Sequence, residues 1–278
     1  MSQKGTSKKG AGWRAKGVGP ADHDTRGKTA HQRLRRLDQF LMALDPGRLR
    51  QTGVVVDLGY GRVPITTVEW FKRLQEIEPR VRMVGVERDP DRVAAAQPMS
   101  EPGLVFRRGD FQLPLGDDEP VVMMRAMNVL RQYEQDAALA AHEQMLAQMA
   151  IGGLLAEGTC DPPGRIMVVQ ILRKGTDGQP SSVGLLFARS FHGVFEPTDF
   201  QAVLPKHLIH RMQPGEPIAT FFSAWSRAAA RTRSVAEFGQ KQFFVAAAEA
   251  LATEISGIET RRAWLRNGWL LWRDAPYP

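Results

Sequence analysis

The chain has 278 residues, 43% of them hydrophobic and 24% charged, with six histidines, one cysteine and a net charge of +7. That size suits a soluble protein with one α/β domain and additions, or two domains. The single cysteine, Cys160, excludes an internal disulfide and a cysteine-based zinc cluster and favours a reducing compartment. No apolar run approaches a membrane span and the N-terminus lacks the apolar core of a secretory signal, so no membrane contact and a cytoplasmic location are expected.

The charge is concentrated at the start of the chain: residues 1–36 hold ten Lys or Arg against Asp22 and Asp24, a net of +8, and the other 242 residues total −1. Residues 1–27, rich in glycine and lysine, read as a basic disordered arm that cannot bury enough surface to offset the entropy of ordering. Such an arm suits salt-sensitive contact with a polyanion, and it equally suits plain solubilisation. From Lys28 to Leu44 the residues Leu34, Leu37, Phe40, Leu41 and Leu44 recur at three- and four-residue steps, which predicts an amphipathic helix bearing Arg33, Arg35 and Arg36 on its other face. Asp45-Pro46-Gly47 breaks it.

A valine run then forms a first strand, Val54-Val55-Val56-Asp57-Leu58, closed by the turn Gly59-Tyr60-Gly61-Arg62-Val63-Pro64. Gly59 and Gly61 permit a sharp turn and remove the Cβ atoms that would hold a ligand off the backbone. Pro64 suits the first turn of the next helix, whose stripe is Val68, Phe71, Leu74 and Ile77. A dinucleotide fold would have a third glycine at position 64, so the proline weighs against NAD or FAD. A second strand, Met83-Val84-Gly85-Val86, ends on Glu87, where a carboxylate can accept hydrogen bonds from both hydroxyls of a ribose held over the glycine turn.

Asp89-Pro90-Asp91 starts a short helix through Ala96, and strands follow at Leu104–Arg107 and Val121–Arg125. A helix from Gln135 to Met149 leads through Gly152-Gly153 to a fifth strand, Leu154–Thr159. Strands alternating with helices predict a parallel sheet with helices on both faces and a binding site at the carboxyl ends of the strands. Ile166–Leu172 and Val183–Arg189, with a turn-rich link, read as a hairpin. The remainder reads as helical over Thr198–Leu208, Ile218–Ala230, Val235–Thr253 and Thr260–Leu271. The expected division is a basic arm at 1–27, a core with an N-terminal helix at 28–195 and a helical extension at 196–278.

The order of these motifs resembles that of class I S-adenosylmethionine (SAM)-dependent methyltransferases. Asp57-Leu58-Gly59-Tyr60-Gly61 is similar to their first motif and Glu87 to the acid that closes their second strand. Arg108-Gly109-Asp110-Phe111 resembles the segment after the third strand, and Val121–Arg125 the fourth strand. The resemblance covers residues 50 to 172, with Val63 in place of the usual third glycine and no Asn-Pro-Pro-aromatic signature after strand four. Arg26–Thr29, Arg125–Tyr133 and Glu157–Asp161 further resemble a bacterial group of predicted methyltransferases. The resemblance implies a Rossmann-like seven-stranded, mostly parallel sheet with an antiparallel last strand. It also implies SAM as cofactor, held by Asp57, Gly59, Tyr60, Gly61, Glu87, Asp110, Phe111 and Arg125.

Catalytic candidates lie after strands four and five. Asn128 either hydrogen-bonds an amine or hydroxyl nucleophile or caps the next helix. Glu157 and Asp161 are the candidate general bases, should the acceptor need to lose a proton. Cys160 reads as a small buried hydrophobe before a thiol nucleophile. No metal is expected, since His207 and His210 stand one helical turn apart with no third ligand in view. Three functions fit: a methyltransferase acting on RNA or another polyanion, one acting on a small molecule beneath a lid of Phe221, Phe222, Trp225, Phe238, Phe243 and Phe244, and a binding module of the same fold without catalysis.

Overall fold

In the computed structural model, which describes residues 30–277, the valine- and methionine-rich segments become the middle of one eight-stranded sheet. β1 (Val54–Leu58), β2 (Met83–Glu87), β3 (Leu104–Arg108), β4 (Val121–Met127) and β5 (Met149–Cys160) run parallel, in the spatial order β3-β2-β1-β4-β5. Every residue of β1, β2 and β4 is buried, as strands covered on both faces must be. On one face lie α1 (Arg35–Leu44), α2 (Ile65–Gln75) and α3 (Pro90–Ala96), sharing a core with Val55, Met83, Met123 and Leu154. On the other lies α4 (Gln135–Ala147), whose Ala138, Ala141 and Met145 pack on Val56, Met124 and Leu155. This is a Rossmann-like arrangement.

The expected hairpin is present as β6 (Ile166–Lys174) and β7 (Pro180–Arg189), with β6 antiparallel to β5. The sheet then departs from the expected seven strands. Trp269-Leu270-Leu271-Trp272 falls largely within the final helix that the sequence predicts, yet it forms β8 (Trp269–Trp272), antiparallel to β7. Trp269 and Leu271 join the core beneath α1, while Leu270 and Trp272 join the core on the opposite face. A segment that is apolar on both faces shows no period in its sequence, and Gly268, at φ +78°, ends the preceding α8 (Arg262–Arg266). Thus β6 and β8 run against the other six strands.

Two more expected helices are divided. Pro205 separates a 3₁₀ turn at Pro197–Val203 from α5 (Lys206–Ile209), and Gly239, at φ +113°, separates another at Arg233–Phe238 from α7 (Gln240–Leu251). Between them runs α6 (Pro217–Arg231). The aromatic side chains expected to form a lid are core instead: Phe221 stacks on Phe187 of β7 at 4.8 Å and on Trp272 of β8 at 4.5 Å, and Phe222, Trp225, Phe243 and Phe244 fill in around them. Of the six, only Phe238 is exposed. The physical reason is that β6, β7 and β8 present an apolar face that needs covering, and α6 and α7 cover it. The basic arm at 1–27 lies outside the described residues.

Candidate functional site

The strand order reverses at β1, whose neighbours β2 and β4 are reached by connections leading to opposite sides of the sheet. In open α/β sheets a crevice forms at such a point, outside the carboxyl ends of the strands. Gly59 and Gly61 stand there at φ +71° and +79°, conformations that disfavour any side chain. They differ in surroundings. A Cβ on Gly59 would lie 2.6 Å from Val129 Cγ2, so the loop is packed against the chain leaving β4. A Cβ on Gly61 would meet nothing within 4 Å, which leaves backbone facing open space.

Glu87, at the end of β2, braces this loop. Its Oε2 accepts a hydrogen bond from the Gly61 amide at 2.9 Å, and its Oε1 accepts from the Arg88 and Asp89 amides at 2.9 and 3.3 Å. Tyr60, between the glycines, packs edge-on against Phe106 at 5.3 Å, and its hydroxyl is buried with no hydrogen-bond partner among the described residues. Burial, and then the carboxylates of Glu87, Asp57 and Asp89, push the ionisation of that hydroxyl up.

Asp57 and Arg125 meet one another below the loop. Arg125 donates from Nε to Asp57 Oδ1 at 2.9 Å and from Nη2 to Asp57 Oδ2 at 2.7 Å, a bidentate pair, and Thr67 Oγ1 donates to Asp57 Oδ2 at 2.7 Å. The remaining Arg125 nitrogen, Nη1, donates to Asp38 of α1, whose other oxygen accepts from Arg73 Nη1 at 2.5 Å. Arg125 is fully buried, with its guanidinium 4.3 Å from the centre of the Trp70 ring. Burial alone would lower its pKa, but Asp57 and Asp38 together raise it. For Asp38, burial outweighs the pull of Arg125 and Arg73 and pushes the carboxyl up to about 6. Asp57 and Arg125 therefore form a buried ionic network beneath the glycine loop, with Asp38 as a third member that no motif marks. Its one signal in the sequence is an acid within the apolar stripe of a helix, between Leu37 and Phe40.

After β3, Asp110 is exposed and accepts from the Gln112 amide at 3.0 Å, while Phe111 packs edge-on against Tyr133 at 5.4 Å. After β4, Asn128 holds φ +62°, a conformation a non-glycine residue seldom adopts. Its Oδ1 accepts from the Cys160 amide at 3.0 Å and its Nδ2 donates to Cys160 Sγ at 3.3 Å, so it links the ends of β4 and β5 and caps no helix. Burial pushes the Cys160 thiol up, against the effect of Arg33 and Asn128. Asp161 follows at once and accepts from the Ile166 amide at 3.1 Å. Glu157 is apart from this group. It lies on the face of β5 that α4 covers, 1% exposed, with Oε2 3.3 Å from His142 Nε2. The site thus brings Asn128 and Asp161 to one end of the sheet and leaves Glu157 below it.

No protein-family model matches the chain, and no curated protein matches it. Among solved structures, it is similar to the plantazolicin methyltransferase BpumL in complex with a triazolic desmethylPZN analog and SAH (11% identity, TM-score 0.37, 46% of this chain and 47% of that one). It is also similar to the CMeT domain of the citrinin polyketide synthase (16% identity, TM-score 0.39, 47% and 36%). A third is an S-adenosylmethionine-dependent methyltransferase from Mesorhizobium loti (22% identity, TM-score 0.30, 43% and 53%). The chain therefore spans about half the length of these proteins or less.

Proposed function

We propose that this protein is a SAM-dependent methyltransferase whose cofactor lies in the crevice between Gly59–Gly61 and Glu87. The observation that carries the reading is the joining of Glu87 to the Gly61 amide at the point where the strand order reverses, next to backbone with open space above it. The residues present fit the group. A carboxylate offers about four acceptor positions, of which Gly61, Arg88 and Asp89 take three, so Glu87 would keep a free acceptor position for a ribose hydroxyl. The unpartnered Tyr60 hydroxyl supplies a donor at the same loop, and Phe111 with Tyr133 supplies an apolar wall for the base.

When bound, SAM supplies a methyl group already activated by its sulfonium. The chain then has to align an acceptor and keep water out. Arg125, Asp57 and Asp38 hold the glycine loop's supporting strands and helices in one arrangement. Asn128, fixed by Cys160 at the end of β4, is the residue we assign to orienting the acceptor, with Asp161 beside it to take a proton when the acceptor carries one. Asp110 is assigned to the adenine amino group. The acceptor itself is either a small molecule or RNA held in part by the basic arm.

Transfer of a tritiated methyl group from SAM to cell-lysate fractions, with and without RNase treatment, tests this reading. A labelled product is expected. Loss of label on RNase treatment assigns RNA as acceptor, label that survives assigns a small molecule or protein, and no label in any fraction contradicts the enzymatic reading.

A further inference from the structure

On the face of the sheet away from Asp57 and Arg125, three side chains from distant parts of the chain converge. They are His142 of α4, Glu157 of β5 and His207 of α5, each 1% exposed or less. One donor atom from each lies within 4.8 Å of the other two. We propose that His142, Glu157 and His207 form a binding site for one zinc ion.

The first argument is geometric. Two donors each 2.0–2.1 Å from a tetrahedral ion stand about 3.3 Å apart. His142 Nε2 and Glu157 Oε2 are 3.3 Å apart, one edge of such a tetrahedron. A His207 ring nitrogen lies within 4.8 Å of both donors and is the third corner of the triangle.

The second is an unsatisfied group. Both ring nitrogens of His207 are buried and neither has a hydrogen-bond partner among the described residues. An apolar residue would fill that space without the penalty of stripping water from two polar atoms. A metal ion gives one nitrogen its partner.

The third is charge. Among the described residues, the ion-pair partner found for the Glu157 carboxylate is His142, a group that carries charge only when protonated. A divalent cation would place a fixed positive charge beside that carboxylate. The fourth is the outer hydrogen bond: His142 Nδ1 lies 3.3 Å from the Tyr277 hydroxyl, so a ring that binds metal through Nε2 donates its Nδ1–H to that oxygen. Metal-bound histidines are held in orientation by a bond of this kind.

Two imidazoles and one carboxylate match the donor preferences of zinc, whereas calcium and magnesium take oxygen. Three protein ligands leave the fourth position to water. The ion would join α4, β5, α5 and, through Tyr277, the segment after β8, clamping the C-terminal extension onto the core. The site is independent of the SAM reading, since its three residues are not among those assigned to the cofactor and it needs no cofactor.

The test uses the full chain, stripped with chelator, dialysed and checked by circular dichroism. Zinc uptake is then measured by elemental analysis, and cobalt(II) is titrated to read coordination from its visible spectrum. One equivalent of zinc, a tetrahedral cobalt spectrum and a higher melting temperature with zinc are expected. His207→Phe, which keeps an aromatic ring and removes the ligand, should abolish uptake, and Tyr277→Phe should weaken it about 10- to 100-fold. A folded wild-type chain that takes up neither ion overturns the proposal. Uptake that survives unchanged in His207→Phe also overturns it; should that variant fail to fold, unchanged affinity in Tyr277→Phe and Glu157→Gln does the same.

Discussion

Glu87 and Asp57 end neighbouring strands, and their partners give them different work. Glu87 is bound by backbone amides alone at the mouth of the crevice, so its loss should be felt in ligand binding. Glu87→Ala is predicted to weaken SAM binding by about 1.5–3 kcal/mol, the range for hydrogen bonds to a charged group, as read by calorimetry. Asp57 is bound by Arg125 in the core, and there the effect should be on stability. Arg125→Met leaves the Asp57 carboxylate buried without its cation and Asp38 with Arg73 alone, and a loss of about 3–5 kcal/mol in urea unfolding is predicted. A loss under about 1 kcal/mol would mean that the network does not hold the fold together. Asp38 also gives stability a pH dependence. Burial raises its folded value to about 6, so the folded chain holds that proton more tightly than the unfolded one. The resulting stabilisation is complete below the ordinary carboxylate value and is lost as pH rises through 6. Asp38→Asn should remove that slope. Glu87 is legible in the sequence because a strand's end announces itself, whereas Asp38 meets Arg125 from 87 residues away and no local pattern carries such a pairing.

At the scale of elements, the glycine loop separates packing from binding. Gly59→Ala puts a methyl group 2.6 Å from Val129 at a positive φ, and it should lower the melting temperature. Gly61→Ala meets no atom within 4 Å, so beyond the cost of its φ it should act mainly on SAM affinity. Paired melting curves and calorimetry on the two variants check this; equal stability losses with equal affinities would contradict it. The parallel strands and their helices can be read from sequence because Val54–Leu58 and Met83–Glu87 are apolar runs bounded by turn residues. The C-terminal elements cannot. Trp269–Trp272 is apolar on both faces, and Gly239 and Pro205 divide helical patterns that look continuous. His142 is likewise hidden, one polar residue on the buried face of α4 beside Ala138 and Met145.

At the scale of the whole molecule, the proposed cofactor crevice at the strand ends and the proposed metal site beneath α4 are joined in sequence to a basic N-terminal segment whose residues 1–36 carry a net +8. If those charges track a phosphate backbone, RNA affinity should fall steeply with salt. Deleting residues 1–25 should then flatten the slope by about one unit of log affinity per log salt for each phosphate no longer neutralised. No measurable RNA binding at low salt would assign a small-molecule acceptor. Both acceptor classes rest on the same cofactor crevice, which makes that crevice the central claim. Its most direct test is a calorimetric titration of the folded full-length chain with SAM and with its demethylated product. The account predicts saturable binding of both at one site, weakened by Glu87→Ala; a folded wild-type chain that gives no binding heat with either, at temperatures on both sides of 25 °C, would contradict it.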